Sequence, residues 1–172
     1  MLDCIPKLKL KATPRVMAIK DKKRPQVSTR IRTILVPTDF SEHSNSALKY
    51  AMPFARQFKA RIVLLHVIER QDVYPDVYYP KMLTPEQIKL AAEKGIYRVC
   101  RQHGLKKPLL REIMVKEGVP HQMICQTALD QKADLIVIAT HGRTGLAHVF
   151  LGSTTERVVR HAPCLVLVVR IS

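Results

Sequence analysis

Residues 139–154, Ala-Thr-His-Gly-Arg-Thr-Gly-Leu-Ala-His-Val-Phe-Leu-Gly-Ser-Thr, begin at the end of an apolar run and carry glycine at 142, 145 and 152. Hydroxyl residues Ser153 and Thr154 follow the last glycine directly. This is the composition of an anion site. Glycine lets the backbone approach a phosphate closely, and the N–H groups at a helix start, reinforced by the positive end of its dipole, point at negative charge. Ser153 and Thr154 add hydroxyl donors. Arg143 is placed either to neutralise a phosphate or to sit in solvent, and Gly145 suits the turn better than a ligand contact. The spacings G-x-x-x-x-G-K-S/T and G-x-G-x-x-G are both absent from the chain. Asp39, just past a second apolar run, is either a turn or cap residue or a ligand contact. His66 lies inside an apolar run and reads as a core histidine, with His141 and His148 weaker candidates still. The sequence offers no nucleophile-elbow triad, metal cluster or pair of catalytic carboxylates.

These residues need elements to hold them. From Thr33 the chain alternates short β-branched runs with amphipathic segments, the pattern of β-α-β units around a mostly parallel sheet. Strands are expected at Thr33 to Pro37, Ile62 to Ile68, Leu110 to Lys116, Leu135 to Ala139 and Leu165 to Val169. All but the third are nearly continuous apolar runs, as in strands covered on both faces. The third is more polar and is expected at an edge. Leu48, Ala51, Ala55 and Phe58 recur at helical spacing behind Ser41 or Ser44 as cap, and Pro53 within that pattern should kink the helix or shift its start. Further helices are expected from Pro85 to His103, from Pro120 to Gln131, and from Gly152, where Ser153 and Glu156 have the spacing of a capping box. Residues 70–84, rich in tyrosine and proline, read as a long loop that is either functional or a surface excursion.

At 172 residues the chain fits one domain without disulfide or metal staples. Cys4, Cys100, Cys125 and Cys164 are too far apart in sequence for redox or zinc pairing and are expected to be reduced core thiols. The start lacks a secretory pattern and no apolar run is long enough to span a bilayer, so a cytoplasmic location is expected. The net charge of +15 is uneven: residues 1–32 carry ten Lys or Arg against Asp3 and Asp21. This basic, proline-broken arm is expected to be a disordered, solvated tail, with nucleic acid or an anionic membrane as alternative contacts, ahead of a domain over 33–172.

The glycine loop resembles that of the universal stress protein family in its ATP-binding branch, whose motif is G-x-x-G, nine residues, then G-S/T. Gly142 and Gly152-Ser153 reproduce the nine-residue spacing. The motif's first glycine falls on Ala139, whose methyl group is expected to narrow the backbone approach. Val36-Pro37-Thr38-Asp39-Phe40-Ser41, Leu65-His66-Val67, Gly118-Val119-Pro120 and His161-Ala162-Pro163-Cys164 extend the resemblance over residues 33–170. It implies an α/β fold of the adenine nucleotide alpha hydrolase-like type: an open five-stranded sheet of order 3-2-1-4-5 with helices on both faces. In such a sheet ligands bind beyond the carboxyl ends of the strands where the order reverses, here between the first and fourth. By resemblance, Pro37, Thr38, Asp39 and the Val67 backbone lie on the adenine and ribose side. Ala139, Gly142, Arg143, Gly152, Ser153 and Thr154 lie on the phosphate side. The implied cofactor is ATP with Mg²⁺, the implied role a stress-response module signalling its occupancy to a regulatory partner, with hydrolysis slow at most. A homodimer through the apolar strand 165–169 is also implied. Alternatives are a nucleotide-independent interaction or scaffold protein using the basic arm, and an enzyme of the alpha-type ATP-pyrophosphatase group. The latter's glycine-rich loop after the first strand is replaced here by Pro37-Thr38-Asp39-Phe40-Ser41.

Overall fold

A computed structural model describes residues 30–69, 84–140 and 151–170. The basic arm up to residue 29, the tyrosine-rich loop over 70–83 and the glycine loop over 141–150 lie outside the described residues. Five strands alternate with four helices: β1 (Thr33–Pro37), α1 (Glu42–Phe58), β2 (Arg61–Ile68), α2 (Pro85–Gln102), β3 (Leu110–Glu117), α3 (Pro120–Asp130), β4 (Leu135–Ala139), α4 (Ser153–His161) and β5 (Leu165–Val169). The strands form one sheet of order β3-β2-β1-β4-β5, and all four ladders are parallel. The expected order and helix placement therefore hold, with β3 at an edge.

Two cores sandwich the sheet because alternate strand residues face opposite sides. Ile34, Val36, Ile62, Leu64, Val137 and Ala139 pack with Leu48, Ala51 and Ala55 of α1 and Ile96 and Val99 of α2. Leu35, Val63, Leu65, Ile136 and Ile138 pack on the other face with Ile124 and Ala128 of α3 and Val158 of α4. Cys4 lies outside the described residues. Of the other three cysteines, Cys100 is buried in the first core and Cys164 packs half-buried against the second, as expected, whereas Cys125 is half-buried outside both clusters. Burial raises the pKa of all three. For Cys164 the neighbouring charges of Asp134 and Cys125 add to burial and push it to about 11.

Helix starts differ in how they are made. Ser41 caps α1 by accepting from the Ser44 N–H, and the helix continues through Pro53 without a shifted start. Pro53 lies on the exposed side, where the carbonyl deprived of its donor can reach water. Thr84 and Gln87 form a full capping box ahead of Pro85 at the start of α2. Among the described residues no helix is long and apolar enough to cross a membrane.

Candidate functional site

The carboxyl ends of β1 and β4 are where the sheet order reverses, and the two strands part there. Their ladder pairs only Ile34 with Leu135 and Leu35 with Ile136, whereas β1 pairs with β2 at five positions and β4 with β5 at five. Val36–Pro37 and Val137–Ala139 thus run on without a shared ladder, and the chain leaves both strands around one crevice.

On the β1 side the turn over residues 38–41 is held from several directions. The Thr38 N–H donates to the Leu65 carbonyl at 2.8 Å, continuing the β1–β2 ladder by one bond. The Thr38 hydroxyl, buried with Ser44, lies 3.1 Å from Ser44 Oγ, donates to Asn45 Oδ1 at 3.0 Å and accepts from the Phe40 N–H at 3.0 Å. Ser44 Oγ also accepts from the Asp39 N–H at 3.2 Å. Asp39 Oδ1 accepts from the Ser41 N–H at 3.0 Å and from the Ser41 hydroxyl at 2.6 Å. Asp39 is therefore tied to the residue that caps α1, and it stands at the mouth of the crevice. Phe40, between them, adopts φ 69°, a left-handed conformation that a bulky residue enters only when its surroundings impose it.

His66 proves to be a satisfied core histidine: it is buried, its Nδ1 lies 2.8 Å from the Thr38 carbonyl, and its ring stacks on Phe40 at 4.0 Å between centroids. Val67 follows it. Because the Leu65 carbonyl faces β1, alternation turns the Val67 peptide groups to the same side, and β1's ladder with β2 ends at Pro37 opposite Leu65. The Val67 backbone thus looks into the space beyond β1.

On the β4 side, α4 starts against the end of its strand. The Gly152 N–H donates to the Thr140 carbonyl at 2.8 Å, and the Thr155 hydroxyl donates to the Ala139 carbonyl at 2.8 Å. The first bond of the α4 ladder runs from the Glu156 N–H to the Gly152 carbonyl. The N–H groups of Ser153, Thr154 and Thr155 precede that ladder and gather at the positive end of the helix dipole. The expected capping box is not formed. Gly152 is the N-cap and Ser153 the first helical residue, so the helix starts one residue too early for Glu156 to occupy the third position. Glu156 pairs instead with Arg160 at 2.6 Å, and Ser153 is exposed. The Ala139 methyl is buried in the core beneath α1, beside Val137 and Val169.

Of the residues expected at the site, Pro37, Thr38, Asp39 and Val67 come together on one side, and Ala139, Gly152, Ser153 and Thr154 on the other. Gly142 and Arg143, with His141, Gly145 and His148, lie outside the described residues. Sequence reasoning missed Ser44, Asn45 and Phe40 as holders of the Asp39 turn and Thr155 as the anchor of α4. The run Ser153-Thr154-Thr155 offered a weak signal for the last. A separate cavity of about 590 Å³ lies between α1 and α2, lined by Phe40, Glu42, Asn45, Lys49, Arg98 and His103 among others. Among the described residues no group of His, Cys, Asp and Glu is placed to hold a metal ion.

The sequence matches the family described as "Universal stress protein family" over residues 30–170. It is 40% identical over 146 residues to universal stress protein MJ0531 of Methanocaldococcus jannaschii, covering 81% of this chain and 82% of that one. Universal stress protein MJ0577 of the same organism is 30% identical over 159 residues, 84% of this chain and 98% of its own length. The solved structure of MJ0577 superposes with a TM-score of 0.67 at 28% identity, over 83% of this chain and 98% of that chain. A universal stress protein solved in complex with cAMP superposes with a TM-score of 0.60 over 84% of this chain and all of its own, and at 24% identity that likeness speaks to the fold.

Proposed function

Because the chain belongs to the universal stress protein family, we propose that it is a cytoplasmic ATP-holding module whose occupancy is signalled to a regulatory partner. The observation that carries this reading is the convergence, where β1 and β4 part, of a rigid carboxylate-bearing turn and an open helix start. These suit the two ends of a nucleotide. Asp39 and the outward Val67 peptide groups suit the ribose and adenine, which need an acceptor for hydroxyls and backbone partners for the ring edge. Pro37 and Thr38 set the turn. The N–H groups and hydroxyls of Ser153 and Thr154, with Gly152 beside them and Gly142 and Arg143 in the preceding loop, suit the phosphates. Mg²⁺ would ride on the phosphate oxygens and water with few protein ligands. Any hydrolysis is expected to be slow. The domain over 33–172 would do this work, with residues 1–32 as an appended basic arm.

Two measurements test the reading. Protein purified under native conditions should release adenine nucleotide on denaturation, and calorimetry should detect ATP binding that Gly152→Val abolishes, since a side chain there bars close backbone approach. A folded Gly152→Val protein with unchanged ATP affinity would overturn the placement. Wild type that shows neither carried nucleotide nor binding heat would overturn the function and leave the scaffold reading.

The second part of the proposal is a homodimer through β5. This edge strand is apolar throughout, and Leu165 is 56% exposed. Edge strands are normally blunted by charge or proline, because an open row of amides and carbonyls recruits another chain. The opposite edge, β3, carries Arg111, Glu112, Lys116 and Glu117 and a register irregularity against β2. On β5 the Val169 carbonyl accepts from the Thr140 N–H, so by alternation the Val166 and Val168 peptide groups face the open edge. A two-fold partner pairing there antiparallel would cover it. Light scattering should give twice 19.6 kDa at micromolar concentration. Val168→Pro, which removes an outward N–H and spares the β4 ladder, should give a folded monomer. A monomeric wild type rules the dimer out.

A further inference from the structure

We propose that Phe40 is a positioning residue for the nucleotide, a bolt from the Asp39 turn into α2 that works only because position 95 has no side chain. The inference rests on the nucleotide reading of the crevice and assigns roles to two residues that contact no ligand in it.

Phe40 sits at φ 69°, where its Cβ crowds the backbone, so the conformation must be imposed from outside the residue. Four contacts impose it. Its N–H donates to the Thr38 hydroxyl at 3.0 Å, and its carbonyl accepts from Asn45 Nδ2 at 3.4 Å. Its ring stacks on His66 with an interplanar angle of 23°. Its outer edge reaches α2 at Gly95, where a Cβ would stand 2.9 Å from both Cε2 and Cζ. Gly95 lies inside an 18-residue helix and its φ is not in the left-handed region, so its backbone gives no reason for glycine. Glycine weakens a helix interior, and the space taken by the Phe40 ring is the compensating reason visible here.

The consequence runs back to the carboxylate. A left-handed residue between Asp39 and Ser41 reverses the chain, which returns the Ser41 N–H and hydroxyl onto Asp39 Oδ1. If the ring is displaced, Phe40 relaxes toward ordinary φ, the Ser41 contacts are lost and the carboxylate leaves its place at the crevice. A ring that swings away from Gly95 gives up its stacking on His66, which is itself tied to the Thr38 carbonyl.

Gly95→Ala is the decisive substitution, since alanine favours the helix while its methyl group collides with the ring. Calorimetry with adenosine and with ATP should show the same loss for both, about tenfold, a mid-range value for coupled neighbouring residues. The defect lies on the nucleoside side, so the phosphates should not alter it. In a Phe40→Ala background Gly95→Ala should cost nothing more. In an Asp39→Ala background it should cost no further adenosine affinity, which general damage to the fold would not spare. Unchanged affinity in folded Gly95→Ala, or a full additional loss in the Asp39→Ala background, overturns the bolt and leaves the nucleotide reading standing. A wild type that binds neither ligand overturns both. Should Gly95→Ala fail to fold, Phe40→Ala removes the ring that holds the turn while its Cβ still disfavours φ 69°. It should show the same equal loss for adenosine and ATP, and unchanged affinity there is equally decisive against the proposal.

Discussion

The two walls of the crevice are built by different means. The β1 wall is a side-chain network: within residues 38–45, Thr38, Asp39, Ser41, Ser44 and Asn45 bond one another and the turn's own backbone. The β4 wall is mostly backbone, with the Gly152 N–H on Thr140 and one side chain, Thr155, reaching the Ala139 carbonyl. A network of mutually bonded side chains, buried at Thr38 and Ser44, fixes one geometry, and no buried side-chain polar atom among the described residues lacks a partner. A helix start offers repeated N–H donors over a wider target. The difference matches two ligand ends: a nucleoside has fixed donors and acceptors to be matched one by one, whereas a phosphate chain presents charge in many orientations.

The contrast should appear when one hydroxyl is removed from each wall. Thr38→Val keeps the shape of the side chain but strands the Phe40 N–H and Asn45 Oδ1 in a half-buried turn. Left unmet, such groups cost about 1–3 kcal/mol apiece, so urea unfolding should report a loss of about 3 kcal/mol. Adenosine and ATP affinity should fall together. Thr155→Val strands only the Ala139 carbonyl and should cost about 1 kcal/mol. ATP should weaken while adenosine binding stays within a factor of about two, a change of only ~0.4 kcal/mol. Equal behaviour of the two variants toward adenosine and ATP would erase the distinction between the walls.

Sequence pattern carried the framework well because the strands are apolar runs and the helices have regular periods. Thr33–Pro37, Leu135–Ala139 and Leu165–Val169 were legible to the residue, and polar β3 marked itself as an edge. Less was legible where a role depends on distant partners. Gly95 reads as a weak spot in a helix until the Phe40 ring, 55 positions away in sequence, is placed beside it. The capping box failed for a related reason: S-x-x-E is a local signal, but the start of α4 is set by the Gly152 and Thr155 bonds to the end of β4. Thr38 was picked out by resemblance as lying on the adenine and ribose side, and its hydroxyl turns out to be buried and committed to Ser44, Asn45 and Phe40.

The smallest effect is expected at Ala139, where the family's glycine is replaced. The sequence suggests that its methyl group narrows the phosphate approach, so that Ala139→Gly would tighten ATP more than adenosine. The placement of the side chain argues otherwise. The methyl points into the core beneath α1 with Val137 and Val169, and the residue is only 4% exposed. Its carbonyl, already bonded to Thr155, is present in either residue. Ala139→Gly should therefore act on stability. It removes one buried methyl, worth about 0.8 kcal/mol. It also frees the backbone of a strand residue at a further cost of about 0.5–1 kcal/mol. A loss of about 1.5 kcal/mol in unfolding free energy follows, with the ratio of ATP to adenosine affinity unchanged. Calorimetry with both ligands, beside a urea titration, decides the matter. A selective gain for ATP would mean that the methyl does reach the phosphates and that the β4 wall, like the β1 wall, is tuned by its side chains.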